Sequence, residues 1–182
     1  MTTFIALLRG INVSGHKKIK MEELRKMMRD LGFEAVTTYI QSGNIVFKAK
    51  ISETQILQQK IKQHIEKSFG HEVPVLVLTV KELSLIIERN SNLDVDVIDQ
   101  NNLYYVLLFN RPDQESMVAL RNEKFDGERF MIATDCVYLF CKNGYGKAKL
   151  NNNLVERKLK VQATTRNHKT MLKLIEISNT LS

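Results

Sequence analysis

The sequence predicts an α+β protein made of two tandem ferredoxin-like βαββαβ units, each followed by a helix, with mainly antiparallel sheets. Three observations lead to this prediction. The order of strand-like and helix-like segments repeats along the 182 residues. Paired strand segments are joined by short turns rich in Gly, Asn or Asp, which is typical of hairpins. Several strand segments are apolar at every position, which indicates a sheet covered on both faces.

The first unit is expected to begin with an apolar strand at residues 4–8 and a helix from about residue 20 that ends at Gly32. A hairpin with strands at residues 37–41 and 45–48 follows, and residues 42–44 form its turn because Gly and Asn accept a positive φ. Apolar residues recur on one face of the first helix: Met21, Leu24, Met27, Met28 and Leu31.

Two capping boxes predict the remaining helices of the first unit. Ser52 and Gln55 open a helix that ends near Gly70, and Thr79 and Glu82 open another directly after a strand at residues 75–78. The apolar residues expected to face inward are Ile56, Ile61 and Ile65 in the former and Leu83, Ile86 and Ile87 in the latter.

Residues 91–103 are rich in Asn and Asp and are predicted to be a linker between a first unit at residues 1–90 and a second at 104–182. The two units can instead pack as one domain. The second face of each sheet is expected to be covered by the other repeat, with a homodimer as the alternative.

The second unit repeats the same order. Strands are predicted at residues 104–109, 129–133, 137–141 and 161–165, with a helix from about residue 147 to 159 between the last two. The first and last helices of this unit are expected to bury Met117, Val118 and Leu120, and Met171, Leu172, Leu174 and Ile175.

Composition excludes several classes of protein. No apolar run approaches the roughly 18 residues of a membrane span, and no basic segment precedes the first apolar run, so we expect a cytoplasmic protein. Cys136 and Cys141 lie in one predicted strand with Cα atoms about 16 Å apart, too far for a disulfide. Four scattered histidines and no Cys-x-x-Cys pair predict no metal site, and no cofactor fingerprint is present.

The excess positive charge is local. Residues 136–182 contain nine Lys or Arg and two Glu, a difference that equals the net charge of +7 of the whole chain. This distribution directs anions toward the surface formed by the C-terminal quarter. A solvated basic face that only aids solubility is the alternative.

Residues 10–17 stand between a strand and a helix and resemble a phosphate-binding loop. His16 replaces the required lysine and Lys17 the required hydroxyl, which argues against nucleotide hydrolysis. A less specific anion site remains, formed by loop N–H groups and Asn12 and by the positive charges of Arg9, Lys17, Lys18 and Lys20. The alternative is a flexible loop with solvated lysines.

The hairpin turn at Gln41, Ser42 and Asn44 offers amide and hydroxyl groups for a base, sugar or amide, and Tyr39 can stack on a ring or cover the sheet. The same residues also suit an ordinary turn. Because the first and second strands of such a unit run parallel, we expect this turn to lie next to the segment from Arg9 to Asn12.

Two further loops are candidates in the second unit. Lys147 and Lys149 follow two glycines and resemble a weak anion site. Arg166 can clamp a phosphate or carboxylate, whereas Asn167 is expected to cap the last helix. His168 is expected to be exposed.

The chain also resembles a bacterial family known only as domain of unknown function 1697. The resemblance rests on segments 7–13, 38–44 and 165–167, on Lys20-Met21 with Leu24-Arg25, and on Thr170 with Lys173-Leu174. It implies the fold and the set of candidate residues, and it implies no established activity.

These observations lead to three hypotheses. The first is a protein that binds an anionic ligand, a phosphorylated metabolite or nucleic acid, at loops around Arg9, Gln41 and Arg166. The second is an enzyme for a small phosphorylated or amide-bearing substrate, oriented by the two arginines and polarised by Gln41 or Asn44. The third is a protein-interaction module acting through its sheet surface or by self-association, as a monomer or homodimer.

Overall fold

The computed structural model describes residues 1–51, 53–92 and 101–181. These residues form two four-stranded antiparallel sheets and six α-helices, so the predicted α+β class with antiparallel sheets is confirmed. The first elements in chain order are β1 (Thr2–Leu8), α1 (Met21–Asp30), β2 (Glu34–Tyr39), β3 (Asn44–Ala49), α2 (Thr54–Phe69), β4 (Val75–Thr79) and α3 (Val80–Glu88).

A short 3₁₀-helix, Arg89–Asn92, follows α3. The later elements are β5 (Leu103–Leu108), α4 (Gln114–Arg121), β6 (Glu128–Ile132), β7 (Cys136–Cys141), α5 (Asn152–Leu159), β8 (Ala163–Asn167) and α6 (His168–Thr180). The chain divides into two compact units, Leu85–Leu172 and a unit that joins Met1–Ser84 to Lys173–Ser182. The domain boundaries and the linker stay a prediction, because residues 93–100 lie outside the described residues.

The first sheet has the strand order β2-β3-β1-β4, so β1 is an interior strand. Thr2 pairs with Ala49 and Leu7 with Asn44, which places the C-terminal end of β1 beside the start of β3. Phe4, Ala6 and Leu8 face the core formed with α1 and α2, and the ring of Phe47 lies 5.9 Å from that of Phe4.

The second sheet has the corresponding order β6-β7-β5-β8. Val106, Val137 and Leu139 pack with α4 and α5 in a core of their own. Cys136 and Cys141 are free and buried, as expected from their spacing. None of the helices in the described part of the chain is long and apolar enough to cross a membrane.

The helix signals are largely confirmed. Thr79 and Glu82 form the predicted capping box, in which the Thr79 N–H donates to the Glu82 carboxylate over 2.7 Å and the Glu82 N–H donates to the Thr79 hydroxyl over 3.2 Å. The other predicted box involves Ser52, which lies outside the described residues.

Three inward-facing assignments are wrong. Ile56 is 47% exposed while its neighbour Leu57 is fully buried, and Val118 and Leu172 are also exposed. In each case an adjacent apolar residue competes for the same helix face, and the packing partner decides between them.

Several predicted boundaries also move, and the strand predicted at residues 161–165 is β8, Ala163–Asn167. Strand β2 begins at Glu34, earlier than predicted, because an irregular pairing between Glu34 and Thr37 interrupts its alternation. Helix α5 begins at Asn152 instead of residue 147, since Asn151 caps it by accepting a hydrogen bond from the Leu154 N–H. Residues Tyr145–Lys147 form a separate 3₁₀-helix.

Gly43 is expected to be the least replaceable glycine of the first unit. Gly43 and Gly10 have φ of 72° and 70°, but a Cβ on Gly43 would lie 2.6 Å from the Cβ of Leu8, whereas a Cβ on Gly10 would meet nothing within 4 Å. Gly43→Ala should therefore lower the free energy of unfolding by about 1–3 kcal/mol more than Gly10→Ala. Urea denaturation of both variants measures the difference, and equal losses would contradict the steric argument.

Candidate functional site

The loop after β1 and the tip of the first hairpin lie side by side. The Leu8 N–H donates to the Gly43 carbonyl over 2.9 Å, and Nδ2 of Asn12 donates to the Gln41 carbonyl over 2.9 Å. The predicted proximity of these two segments is thus confirmed. We call residues 9–20 the basic loop and residues 40–43 the hairpin tip.

Asn12 connects these two segments and also closes the basic loop on itself. Its Nδ2 donates to the Ile19 carbonyl and its Oδ1 accepts from the Ile19 N–H, both over 2.9 Å. Asn12 has a φ of 54°, a left-handed conformation that asparagine tolerates better than most residues. Both the donor and the acceptor of its amide are therefore used to hold the loop.

The cationic residues of the basic loop have different surroundings. Nζ of Lys17 donates to the Glu72 carbonyl over 2.6 Å, which fastens the middle of the loop to the segment before β4. Lys20 is exposed and lies 3.6 Å from the Glu23 carboxylate, and Lys18 is also exposed. Arg9 is half-buried, and its N–H donates to the Pro74 carbonyl over 3.0 Å.

The hairpin residues divide into accessible and inaccessible ones. Gln41 and Ser42 are exposed at the tip, and Tyr39 is half-buried. Asn44 is fully buried as the first residue of β3, and its Nδ2 donates to the Tyr39 carbonyl over 3.1 Å. Asn44 therefore closes the hairpin instead of facing solvent.

The candidate residues of the second unit lie on opposite faces of its sheet. Tyr145, next to Lys147 and Lys149, donates its hydroxyl to Oγ1 of Thr165 over 3.1 Å. Arg166, the next residue of β8, points to the other face, because side chains alternate along a strand. The sheet therefore separates Arg166 from the exposed residues Lys147 and Lys149.

Arg166 is buried, with 8% of its surface exposed. Its Nη1 donates to the Thr164 hydroxyl and to the Thr165 carbonyl, both over 2.8 Å. Burial lowers the pKa of Arg166 to about 10, still well above neutral pH, so the guanidinium stays charged. Asn167 accepts from the Thr170 N–H over 2.8 Å, which confirms its predicted role as a cap.

His168 is 6% exposed, so the expectation of an exposed side chain is wrong. Asn90 donates to the Tyr105 hydroxyl over 2.7 Å, and that hydroxyl lies 2.8 Å from Nδ1 of His168. A hydroxyl both donates and accepts, so Tyr105 can accept from Asn90 and contact Nδ1 at the same time, and the imidazole tautomer decides which atom is the donor in the second contact. Burial raises the pKa of Tyr105 to about 12 and lowers that of His168.

Sequence patterns could not reveal this buried network. Its members come from the 3₁₀-helix after α3, from β5 and from the start of α6, and no local spacing connects them. Asn90 and His168 each stand in a polar stretch of sequence, and such stretches are too common to indicate a buried hydrogen-bonded cluster.

The structure also shows two surface grooves. One of about 960 Å³ is lined by the end of α4, the connection after it and β6. The other, of about 410 Å³, lies between α1 and α2. None of the candidate residues predicted from the sequence lines either groove. Within the described ranges, no three His, Cys, Asp or Glu side chains gather in a way that could hold a metal ion.

Comparisons with known proteins agree with the fold. The family model described as "Protein of unknown function (DUF1697)" matches residues 1–138. The solved structure of the conserved bacterial protein SP0830 from Streptococcus pneumoniae is similar, with a TM-score of 0.72 and 21% identity over 97% of this chain and 98% of that chain. At this identity the likeness concerns the fold alone. No curated protein matches the chain.

Replacing Asn12 should loosen the basic loop. Asn12→Gly keeps the left-handed backbone accessible but removes the three side-chain hydrogen bonds, so we expect the free energy of unfolding to fall by about 1–3 kcal/mol. The Ile19 amide should also exchange with solvent faster. Ser14→Gly, at an exposed loop position with a φ of 48°, controls for added backbone freedom. Equal losses in the two variants would contradict the role of Asn12.

The His168 network should make folding stability depend on pH. The pKa of His168 is lowered in the folded state, so below the unfolded value of about 6.5 the unfolded chain binds more protons. The contribution of His168 to the free energy of unfolding is thus fully present above about pH 6.5 and is lost as the pH falls below that value. Urea denaturation of wild type and His168→Gln between about pH 5 and 8 should show a gap at high pH that narrows on acidification. A gap independent of pH would refute this.

Proposed function

We propose that this chain, which belongs to the DUF1697 family of proteins of unknown function, binds the phosphate groups of an anionic ligand with the basic loop and the hairpin tip of its first unit. The resemblance predicted from the sequence motifs is confirmed over residues 1–138. The motif residues from Thr165 to Leu174 lie beyond the matched part. The family carries no described activity, so the proposal depends on geometry and charge.

The observation that carries the proposal is the fixed position of a basic segment. Residues 9–21 include Arg9, Lys17, Lys18 and Lys20 and no Asp or Glu. Asn12 and Lys17 hold this segment against the hairpin tip and the Glu72 carbonyl. A loop that is ordered before binding loses less conformational entropy when the ligand arrives.

The neighbouring side chains favour a ligand with more than phosphate groups. Ile40 at the hairpin tip and Val13 in the basic loop are 51% and 59% exposed, and Gln41 and Ser42 next to Ile40 provide donors and acceptors. Exposed apolar and amide groups beside cations suit the sugar and base of a nucleotide. Single-stranded nucleic acid is the version that this open surface supports best, and a small phosphorylated metabolite is the alternative.

The proposal also covers the fold of the two units, further ligand contacts, the cellular location and the oligomeric state. Each unit is proposed to be a ferredoxin-like βαββαβ unit, supported by the second-third-first-fourth strand order of both sheets. Ligand contacts by Arg166, Lys147 or Lys149 stay predictions, as do a cytoplasmic location and a monomeric or homodimeric state.

Exposed lysines of the basic loop should be needed for binding. We expect Lys18→Ala combined with Lys20→Ala to weaken binding of a fluorescent single-stranded oligonucleotide on the order of tenfold at about 50 mM salt. The slope of log K against log salt should become shallower by about 1.4, the value for two phosphates of a single strand. Fluorescence anisotropy measures both quantities.

A matched control is Lys50→Ala combined with Lys81→Ala. These exposed lysines follow Ala49 and Val80, at the opposite end of the first sheet from the basic loop, and the change in net charge is the same. Equal weakening by both pairs, or no binding by wild type at low salt, would refute the nucleic-acid version. Displacement of the oligonucleotide by a nucleoside monophosphate would favour a small ligand.

A further inference from the structure

The larger groove runs along a strand that, among the residues the structure describes, pairs with another strand on one side only. Strand β6 is at the edge of the second sheet, and the groove of about 960 Å³ is lined by β6, by Arg121 at the end of α4 and by residues 123–127 between them. All of these residues belong to the second unit. An edge strand exposes backbone groups that can pair with another chain.

The pairing of β6 with β7 shows which backbone groups face the groove. The Ala133 N–H donates to Cys136 and the Lys142 N–H donates to Gly127, both over 2.9 Å. Hydrogen-bonded pairs alternate along an antiparallel ladder, so the backbone groups of Arg129 and Met131 face β7. Those of Phe130 therefore face outward, away from β7.

Two of the neighbouring backbone groups at this edge are used within the chain. The Ile132 carbonyl accepts from Nη2 of Arg121 over 3.3 Å, and the Glu128 N–H donates to the Phe125 carbonyl over 3.1 Å. The outward-facing set is therefore the N–H and carbonyl of Phe130 with the Ile132 N–H and the Glu128 carbonyl. This set matches one short added strand centred on Phe130.

The groove also offers apolar surface beside this edge. The rings of Phe125 and Phe130 meet edge to face with centroids 5.8 Å apart, and both side chains are half-buried. Half-buried rings next to an open strand edge can receive alternate apolar side chains of an added strand.

The charges around the groove are mostly positive. The Glu128 carboxylate accepts from the N–H groups of Lys149 and Leu150 over 2.6 and 2.9 Å, and Glu123 forms an ion pair with Lys158. The ion pair neutralises Glu123, and the backbone contact brings Lys149 to the border of the groove, so cationic side chains outnumber the remaining carboxylates of Asp126 and Glu128. Arg121, Lys124 and Lys142 add further positive charge, and Lys142 pairs with Gly127 through its backbone.

We propose that the edge of β6 binds an extended acidic segment of a partner protein, which adds as a strand to the second sheet. The backbone of the partner segment pairs with Phe130 through main-chain hydrogen bonds. Apolar side chains of the segment pack on the rings of Phe125 and Phe130, and the basic residues around the groove favour acidic side chains. A second copy of this chain is a poorer occupant, because its β6 would bring an identical basic border into contact with this one.

The test uses the full chain and a fluorescent, end-blocked peptide of about seven residues in which Glu and Val alternate. Fluorescence anisotropy should show saturable binding of this peptide and none of its Lys–Val counterpart. Lys124→Glu should weaken binding roughly fivefold or more, whereas Lys169→Glu, an equal charge change on the far side of the sheet next to β8, should not. The amides of Phe130 and Ile132 should exchange more slowly in the complex.

Backbone pairing is tested with two N-methylated forms of the same peptide, one methylated at the odd residues and one at the even residues. An added strand presents alternate N–H groups to β6, so one form should bind poorly and the other like the unmethylated peptide. Absence of binding by the acidic peptide, or equal binding by both methylated forms, would overturn the proposal. The proposal would also be overturned if Lys124→Glu bound the peptide with unchanged affinity or if a single-stranded oligonucleotide displaced the peptide. Self-association that slows exchange of the Phe130 amide in the absence of peptide would overturn it as well. The double variant Lys18→Ala with Lys20→Ala leaves this groove intact and should bind the peptide like wild type. Loss of peptide binding and loss of oligonucleotide binding therefore test the two proposals separately.

Discussion

The interior position of β1 in the first sheet determines where the candidate site forms. Because β1 pairs with β3 on one side and β4 on the other, its C-terminal end lies beside the start of β3. The hairpin tip and the basic loop must therefore meet, and the Leu8 N–H bonds directly to the Gly43 carbonyl. Gly43 allows this contact because any Cβ there would collide with Leu8.

Polar side chains stabilise the irregular segments of both units by completing backbone hydrogen bonds. Asn12 holds the basic loop closed through Ile19, and the Glu128 carboxylate accepts two N–H groups from the connection before α5. Such groups would otherwise have to remain hydrated or go unpaired. In both places the side chain takes the hydrogen-bonding role that a helix or strand would have and so orders a surface loop. A candidate binding surface lies next to each of these loops.

Much of the fold could be predicted from the sequence because its signals are local. The order of strands and helices, the capping box at Thr79 and the free cysteines need only spacing and residue type. The proximity of the basic loop and the hairpin tip followed from the parallel direction of the first and second strands in a βαββαβ unit. Which of two adjacent apolar residues is buried, as at Ile56 and Leu57, could not be predicted, since the answer depends on the surface that the helix packs against.

The sequence by itself determined the strand order along the chain, the class of the fold, the family and the location of the charge. Only the tertiary structure decided what the individual polar residues do. It placed Asn44 inside the first sheet, buried His168 against Tyr105, and directed Arg166 away from Lys147 and Lys149. The physical reason is that hydrogen-bond partners and burial arise from segments far apart in sequence, whereas periodicity and turn chemistry are properties of neighbours.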